Sequence, residues 1–196
     1  MSKKVLGNKK RGQLFVVSAP AGTGKSTLVE MLLTEFPRVV AQSCSSTTRA
    51  PRPDEVKDVH YEFLSKEEFL RRLANGEFLE HAEVFGHFYG TRTSEVVRLQ
   101  EEGKHVVLVI DTQGAMQVKK KVEATFIFIS PPSFGELRSR LLKRRTEDDA
   151  MIDRRLDWAK REVEMAPHYD YQIVNDDLKV TYQVLRSIFI AQEHKK

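Results

Sequence analysis

Residues 13–26 have the sequence QLFVVSAPAGTGKS, and this stretch decides the fold. Its first six residues form an apolar run rich in β-branched and aromatic side chains, which predicts a buried strand. Small residues follow over 19–25, and from Ser26 apolar residues recur at helical spacing until Pro37. A strand, a glycine-rich loop and a helix therefore succeed one another within 25 residues, an arrangement that suits phosphate binding.

The loop nearly matches the pattern G-x-x-x-x-G-K-[ST], with alanine in place of the first glycine. The glycines at 22 and 24 can adopt positive φ, which turns successive backbone N–H groups toward an anion. Lys25 can reach the β- and γ-phosphates of a nucleotide, and the Ser26 hydroxyl can ligate Mg²⁺. The residues predicted to bind ATP here are Ala19, Pro20, Ala21, Gly22, Thr23, Gly24, Lys25, Ser26 and Thr27. The alternative is a glycine turn with a solvated lysine, and the alanine leaves the geometry of the first corner open.

The composition favours a folded protein of one domain, or one core with a smaller inserted unit. The chain has 196 residues, of which 40% are hydrophobic and 31% charged, a balance that argues against disorder. The single Cys44 excludes an internal disulfide framework and a cluster of thiolate metal ligands. Because no apolar stretch approaches the ~18 residues of a membrane helix, we expect a soluble, cytoplasmic protein without membrane contact.

The positive charge is concentrated at the N-terminus. The net charge is +4, but residues 1–11 contain five basic residues and no acidic one, so the remainder is close to neutral. We expect residues 1–11 to form a disordered basic tail, which could touch nucleic acid weakly. No specific nucleic-acid binding is predicted.

Further apolar runs at 106–110, 125–129 and 171–174 predict buried parallel strands. The helices predicted between and after them cover about 112–121, 133–143 and 148–165, followed by an amphipathic closing helix from Leu178. Alternating strands and helices predict a three-layer α/β core with a parallel sheet. We assign residues 12–42 and 93–196 to this core.

Residues 43–92 have a different texture, with short strands, turns and a short helix near 66–75, and we interpret them as an inserted small mixed α/β unit. Within it, Pro51 and Pro53 hold the chain extended, so that Arg49 and Arg52 are fixed in direction. Two preset guanidinium groups suit bidentate recognition of a phosphate. The alternative is an exposed basic turn.

Several segments together resemble the guanylate kinase family in order and spacing. They are the loop at 19–26, SSTTRAPRP at 45–53, Glu80 with YGT at 89–91, IDTQGA at 110–115 and IVNDD at 173–177. The similarity extends over about residues 13–191. It implies a P-loop kinase core, a GMP-binding unit at 43–92 and a helical lid at about 138–156. It also implies an enzyme of purine nucleotide metabolism that transfers the γ-phosphoryl group of ATP to GMP with Mg²⁺.

The resemblance also implies roles for individual residues. Arg49, Arg52, Tyr61 and Tyr89 would hold the GMP phosphate, and Ser45, Glu80 and Thr91 would bind the guanine. Asp111 would lie near Mg²⁺ or GMP, whereas Val109 stands where the family often has a further aspartate. Arg144 and Arg155 would be the phosphate-binding arginines of the lid, with Arg140 a weaker candidate, and Asn175 would contribute to the adenine pocket. The residues predicted to be catalytic are Lys25, Arg49, Arg144 and Arg155.

The chemistry of Glu80 agrees with this role. Guanine presents N1–H and the exocyclic amino group as adjacent donors, and one carboxylate accepts both. Adenine has an acceptor at N1 and would leave a buried carboxylate unpaired, which is strongly unfavourable.

Two other functions remain open at this stage. A guanylate-kinase-like protein-interaction module would bind a peptide without catalysis, although such modules tend to lack an intact phosphate loop. A GTPase switch would require an Asn-Lys-x-Asp-type element, and the sequence contains none. The oligomeric state is not predicted.

Overall fold

The computed structural model describes residues 4–53, 55–143 and 149–195. The strands are β1 (Leu14–Ser18), β2 (Val40–Gln42), β3 (Ser45–Thr47), β4 (Tyr61–Phe63), β5 (Phe78–Val84), β6 (His87–Arg92), β7 (His105–Val109), β8 (Thr125–Ser130) and β9 (Tyr171–Val174). The helices are α1 (Lys25–Glu35), α2 (Lys66–Ala74), α3 (Thr93–Glu101), α4 (Thr112–Lys121), α5 (Phe134–Lys143), α6 (Asp149–Glu164) and α7 (Leu178–His194), with a 3₁₀ turn at Ala166–His168.

A five-stranded parallel sheet forms the centre of the core, in the order β2-β7-β1-β8-β9. Alternate residues of β1 point to opposite faces, and all of them are buried. Phe15 packs with α1 and α7 on one face and stacks on Phe189 at 3.8 Å between ring centroids. Val16 packs with α3 and α4 on the other face. The predicted three-layer α/β core is confirmed.

A second sheet lies within residues 45–92, in the order β4-β3-β6-β5. Its β3–β4 pair is parallel, and β3–β6 and β5–β6 are antiparallel. The fully buried Phe69 of α2 stacks on Phe78 at 4.5 Å and on Phe88 at 5.5 Å between centroids. We call residues 43–92 the inserted unit. This small aromatic core supports the two long strands that reach the site.

Helices α5 and α6 pack against each other through a separate apolar cluster that includes Leu137, Leu141, Ile152 and Ala159. Residues 144–148 between them lie outside the described part of the chain. The predicted lid at about 138–156 contains this gap, and its boundaries therefore stay a prediction.

Residues 4–11, for which the sequence predicted a disordered tail, make contacts with the core. Leu6 is buried in the core cluster that contains α1 and α7. The Asn8 backbone N–H donates to Glu193 Oε1 at 2.5 Å, and the other oxygen of Glu193 lies 2.7 Å from His105 Nε2. Leu6 and the buried carboxylate of Glu193 therefore hold this segment against the core, although its high charge predicted a solvated tail. Residues 1–3 are outside the described range.

Within the described ranges, no helix is long and apolar enough to cross a membrane.

Candidate active site

A cleft of about 310 Å³ opens between the glycine-rich loop, the inserted unit and helix α6. It brings together most of the residues that the sequence predicted for the site. Those that line it are Ala19, Pro20, Ala21, Gly22, Gly24, Lys25, Ser26, Thr27, Ser45, Arg52, Tyr61, Glu80, Tyr89, Asp111 and Arg155. A larger depression of about 890 Å³ lies near the starts of β1 and β8, and none of the described residues that line it belongs to the predicted site.

The loop has the backbone geometry that an anion requires. Gly22 and Gly24 have φ of 90° and 96°, in the left-handed region that favours glycine. Gly24 is also the N-cap of α1 and offers no side chain to the first helical N–H groups, so these can bind a phosphate. Ala19 is buried in the core, and the non-glycine residues with positive φ in the described ranges are Asp58 and Phe85. Alanine at the first corner is therefore accommodated without backbone strain.

Lys25 is the cation at the floor of the cleft. Its Nζ donates to the carbonyl oxygens of Ala19 and Ile110, both at the long distance of 3.5 Å. Loss of solvent lowers the pKa of Lys25, and the carboxylates of Glu162 and Asp111 partly oppose that change. A phosphate group would replace these weak contacts with a charge-assisted one.

Glu162 of α6 is a site residue that the sequence did not predict. It is 6% exposed and lines the cleft, and its carboxylate makes neither a hydrogen bond nor an ion pair with any residue that the structure describes. Burial raises its pKa to about 7, and the charge of Lys25 acts in the opposite direction. In the sequence Glu162 is one of several charged residues of a helix, so no local signal distinguishes it from its solvated neighbours.

Glu80 is buried on β5 and lines the opposite part of the cleft. The Thr91 hydroxyl donates to its Oε1 at 2.5 Å across the β5–β6 pair. Burial raises the pKa of Glu80 to about 7 although the Thr91 hydrogen bond lowers it, and the charge of Asp111 adds to the rise. Thr91 therefore supplies one hydrogen bond, and the carboxylate needs further donors from a ligand to remain charged.

The two arginines predicted to bind the GMP phosphate, Arg49 and Arg52, differ in their contacts. Arg52 lines the cleft, whereas Nη2 of Arg49 donates to both carboxylate oxygens of Glu55, at 2.7 and 2.9 Å. The Arg49 guanidinium also lies 5.6 Å from the centroid of Tyr61. Burial alone would raise the pKa of Glu55, but hydrogen bonds from Arg49 and the Arg52 backbone outweigh it and lower that pKa. Glu55, which the sequence did not single out, occupies Nη2 of Arg49, one of the donors that a phosphate would use.

Asn175 is buried and supports the loop directly. Its Nδ2 donates to the carbonyl oxygen of Thr23 at 2.7 Å. Nη1 and Nη2 of Arg140 each donate to the backbone carbonyl oxygen of Asn175 at 3.3 Å. The structure therefore assigns the amide of Asn175 to the phosphate loop, and its contribution to an adenine pocket stays a prediction.

The remaining predicted residues are Asp111, Thr91, Arg155 and Arg144. Asp111 caps α4, accepting from the Gly114 N–H at 2.8 Å through Oδ1. Thr91 is fully buried behind Glu80, and Arg155 reaches the cleft from α6. Arg144 lies outside the described residues.

The donor set of the cleft suits a Mg²⁺ ion that a nucleotide brings with it. The described residues contain no group of three or more His, Cys, Asp or Glu that could hold a metal by itself. The Ser26 hydroxyl and the Asp111 carboxylate, however, line the same cleft. Mg²⁺ keeps several waters and commonly binds through one or two protein oxygens and the phosphates of a substrate. These residues fit that mode.

Comparison with known proteins gives consistent matches. A family model described as guanylate kinase matches residues 11–192. A guanylate kinase of Protochlamydia amoebophila is 54% identical over 189 residues, which are 96% of this chain and 95% of that protein. The crystal structure of guanylate kinase from Anaplasma phagocytophilum matches with a TM-score of 0.79 and 36% identity, covering 96% of this chain and 89% of the other.

A more distant match shows the fold alone. It is a crystal structure of the SH3-kinase fragment of tight junction protein 3, with a TM-score of 0.54 and 15% identity, covering 95% of this chain and 58% of that one. Since one fold can serve several functions, the activity has to be argued from the residues of the cleft.

Proposed function

The chain belongs to the guanylate kinase family, and from this membership we propose that it is an ATP:GMP phosphotransferase whose two nucleotides bind head to head in the cleft. Its products would be ADP and GDP. The observation that carries the proposal is that Lys25 and Glu80, one for each nucleotide, line the same cleft.

The glycine-rich loop would bind the phosphates of ATP. Its left-handed glycines and the start of α1 offer N–H groups, and Lys25 can exchange its long carbonyl contacts for phosphate oxygens. A bound Mg²⁺ ion, held by Ser26 with Asp111 nearby, would withdraw charge from the transferred phosphoryl group. Phosphoryl transfer needs in-line placement and charge neutralisation more than covalent help from the protein.

The inserted unit would bind GMP. Arg52, Tyr61 and Tyr89 line the cleft where they can contact the GMP phosphate, and Arg49 would join them by leaving Glu55. The carboxylate of Glu80 would accept from N1–H and the exocyclic amino group of guanine, with Ser45 and Thr91 beside it. Positive side chains on the acceptor phosphate reduce its repulsion from ATP.

The test is a coupled assay of ADP formation with GMP, dGMP, AMP and UMP as acceptors. We expect activity with GMP and essentially none with AMP, because adenine cannot satisfy a buried carboxylate. Activity with AMP but not GMP would refute the role of Glu80. No activity with any acceptor, together with binding of at most one nucleotide by calorimetry, would favour the non-catalytic interaction module.

Arg49→Ala tests the acceptor side separately. We expect the KM for GMP to rise by about tenfold or more while the KM for ATP changes little, because only the GMP phosphate loses a charged donor. Arg38→Ala, at a basic residue outside the cleft, is the matched control. Unchanged GMP kinetics in Arg49→Ala would contradict the assignment.

A further inference from the structure

The inserted unit touches helix α6 across the mouth of the cleft. Phe85 lies at the tip of the β5–β6 hairpin, and its ring centroid is 5.7 Å from that of Trp158, at an interplanar angle of 48°. The guanidinium carbon of Arg155 lies 5.7 Å from the same Phe85 ring. All three side chains line the cleft. The hairpin that carries Glu80 therefore ends in a contact with the helix that carries Arg155.

The backbone conformation at position 85 disfavours a phenylalanine. Its φ is +50°, in the left-handed region that bulky residues rarely adopt. Tight hairpin turns favour Asn, Asp or Gly at such positions. The side chain is also 44% exposed, so burial in a core does not compensate for the conformation. What the ring does gain is its contact with Arg155 and Trp158.

The contact between Phe85 and the Arg155 guanidinium group uses the face of the ring. An aromatic ring attracts a guanidinium group through its face. A carboxylate partner instead occupies N–H donors, as Glu55 occupies Nη2 of Arg49. A ring can thus hold Arg155 in place without competing for the donors that a phosphate needs.

We propose that Phe85 is a positioning residue that places Arg155 for phosphoryl transfer and links this placement to GMP binding. The inference rests on the proposed function, because it requires GMP on the inserted unit and a phosphoryl group near α6. Glu80 and Tyr89 lie on the two strands of the hairpin that Phe85 ends. A ligand that fixes these strands also fixes the ring at their tip.

The decisive comparison is between Phe85→Ala, Phe85→Leu and Phe85→Tyr. We expect kcat to fall by about tenfold in the alanine and leucine variants, because both lose the aromatic face. The tyrosine variant keeps the face and should stay within about twofold of the wild type. The KM for ATP should change little in all three, since the glycine-rich loop is untouched. Leu70→Ala, at an exposed apolar residue of α2 in the same unit, is the matched control and should behave as wild type.

Tryptophan fluorescence supplies a readout that does not depend on turnover. Trp158 is the only tryptophan of the chain, so its emission reports on the contact directly. GMP should change this emission in the wild type and in Phe85→Tyr, and much less in Phe85→Ala. Thermal unfolding of each variant checks that it is folded. If Phe85→Ala does not fold, Phe85→Leu takes its place, because leucine keeps the apolar bulk.

The outcomes separate this inference from the proposed function. Wild-type kcat in Phe85→Leu, or an equal loss in Phe85→Leu and Phe85→Tyr, would overturn the positioning role while leaving GMP phosphorylation intact. Absence of GMP-dependent ADP formation in the wild type would instead overturn the proposed function, and the inference with it. An unchanged GMP response of Trp158 in Phe85→Ala would refute the link to GMP binding.

Discussion

The carboxylate of Glu80 lies directly against the backbone of Gly114, the third residue of α4. A Cβ atom on residue 114 would come within 2.2 Å of Glu80 Oε2, far closer than any van der Waals contact allows. Oε2 of Glu80, which does not bond to Thr91, therefore has room at this position only because residue 114 of α4 is a glycine.

Replacing Gly114 with alanine should displace the Glu80 carboxylate. We expect the KM for GMP to rise by about tenfold while the KM for ATP changes little, because the loss falls on guanine binding. Steady-state kinetics with each nucleotide varied in turn would measure this. Gly135→Ala is the matched control, since its Cβ would meet its nearest atom, Ser133 Oγ, at 3.8 Å. A wild-type KM for GMP in Gly114→Ala would show that the carboxylate can move without cost.

Glu80 also makes the stability of the nucleotide-free protein depend on pH. Its pKa rises from an ordinary 4.5 to about 7 on folding. Between these values the folded protein keeps a proton that the unfolded chain has released, so the free energy of unfolding falls as pH rises through this window. The full effect corresponds to about 3 kcal/mol above pH 7.

Glu80→Gln should remove this dependence. In urea denaturation between pH 4 and 9, we expect the variant to gain stability relative to the wild type as pH rises from about 4.5 to 7. Glu83→Gln, at an exposed position of the same strand, should follow the wild type at every pH. A constant difference between Glu80→Gln and the wild type would mean that the pKa of Glu80 is not raised.

The sequence predicts those parts of the fold that rest on local patterns. The continuous apolar runs placed β1, β7, β8 and β9 within a residue of their observed bounds. Strand β2 is harder to delimit from the sequence, because it has only three residues, one of them polar and exposed, and thus no apolar run. Helix α3 was missed because its N-cap, Arg92, makes no side-chain cap and gives no start signal.

The residues of the site also fall into those that a local sequence pattern predicts and those that it does not. The glycine-rich loop is contiguous in the chain, so its spacing alone predicts a phosphate site. Glu162 and Phe85 reach the cleft only through tertiary contacts, and Glu55 meets Arg49 through a turn that the sequence does not mark. Each of the three stands in a stretch whose composition is ordinary for a helix or turn. A pattern along the chain carries no information on which of several glutamates a fold will bury.

Glu162→Gln should separate a functional role from a structural one. The substitution removes a buried carboxylate that has no ion pair among the described residues, so the free energy of unfolding at pH 8 should stay the same or increase. We expect kcat to fall by about tenfold, because Lys25 loses the negative charge that most opposes the lowering of its pKa. Circular dichroism melts and steady-state kinetics would measure the two effects.

Glu164→Gln is the matched control for this experiment, because it makes the same change at an exposed position two residues further along α6. It should leave both quantities unchanged. Wild-type kcat in Glu162→Gln would show that the charge at 162 does not act on Lys25, whatever happens to stability.

Asn175→Ala should loosen the glycine-rich loop. The substitution removes the hydrogen bond to the carbonyl oxygen of Thr23, a residue that is fully buried, so the oxygen is left without that partner at a cost of about 1–3 kcal/mol. We expect the KM for ATP to rise by about tenfold and the KM for GMP to change little, because the loop contacts only the donor nucleotide. Asp176→Ala, at the exposed neighbouring residue, is the control. A variant Asn175→Ala that loses stability but keeps the wild-type KM for ATP would contradict this prediction. In that case the N–H groups of the loop keep their geometry without the Asn175 amide, and the amide supports only the fold.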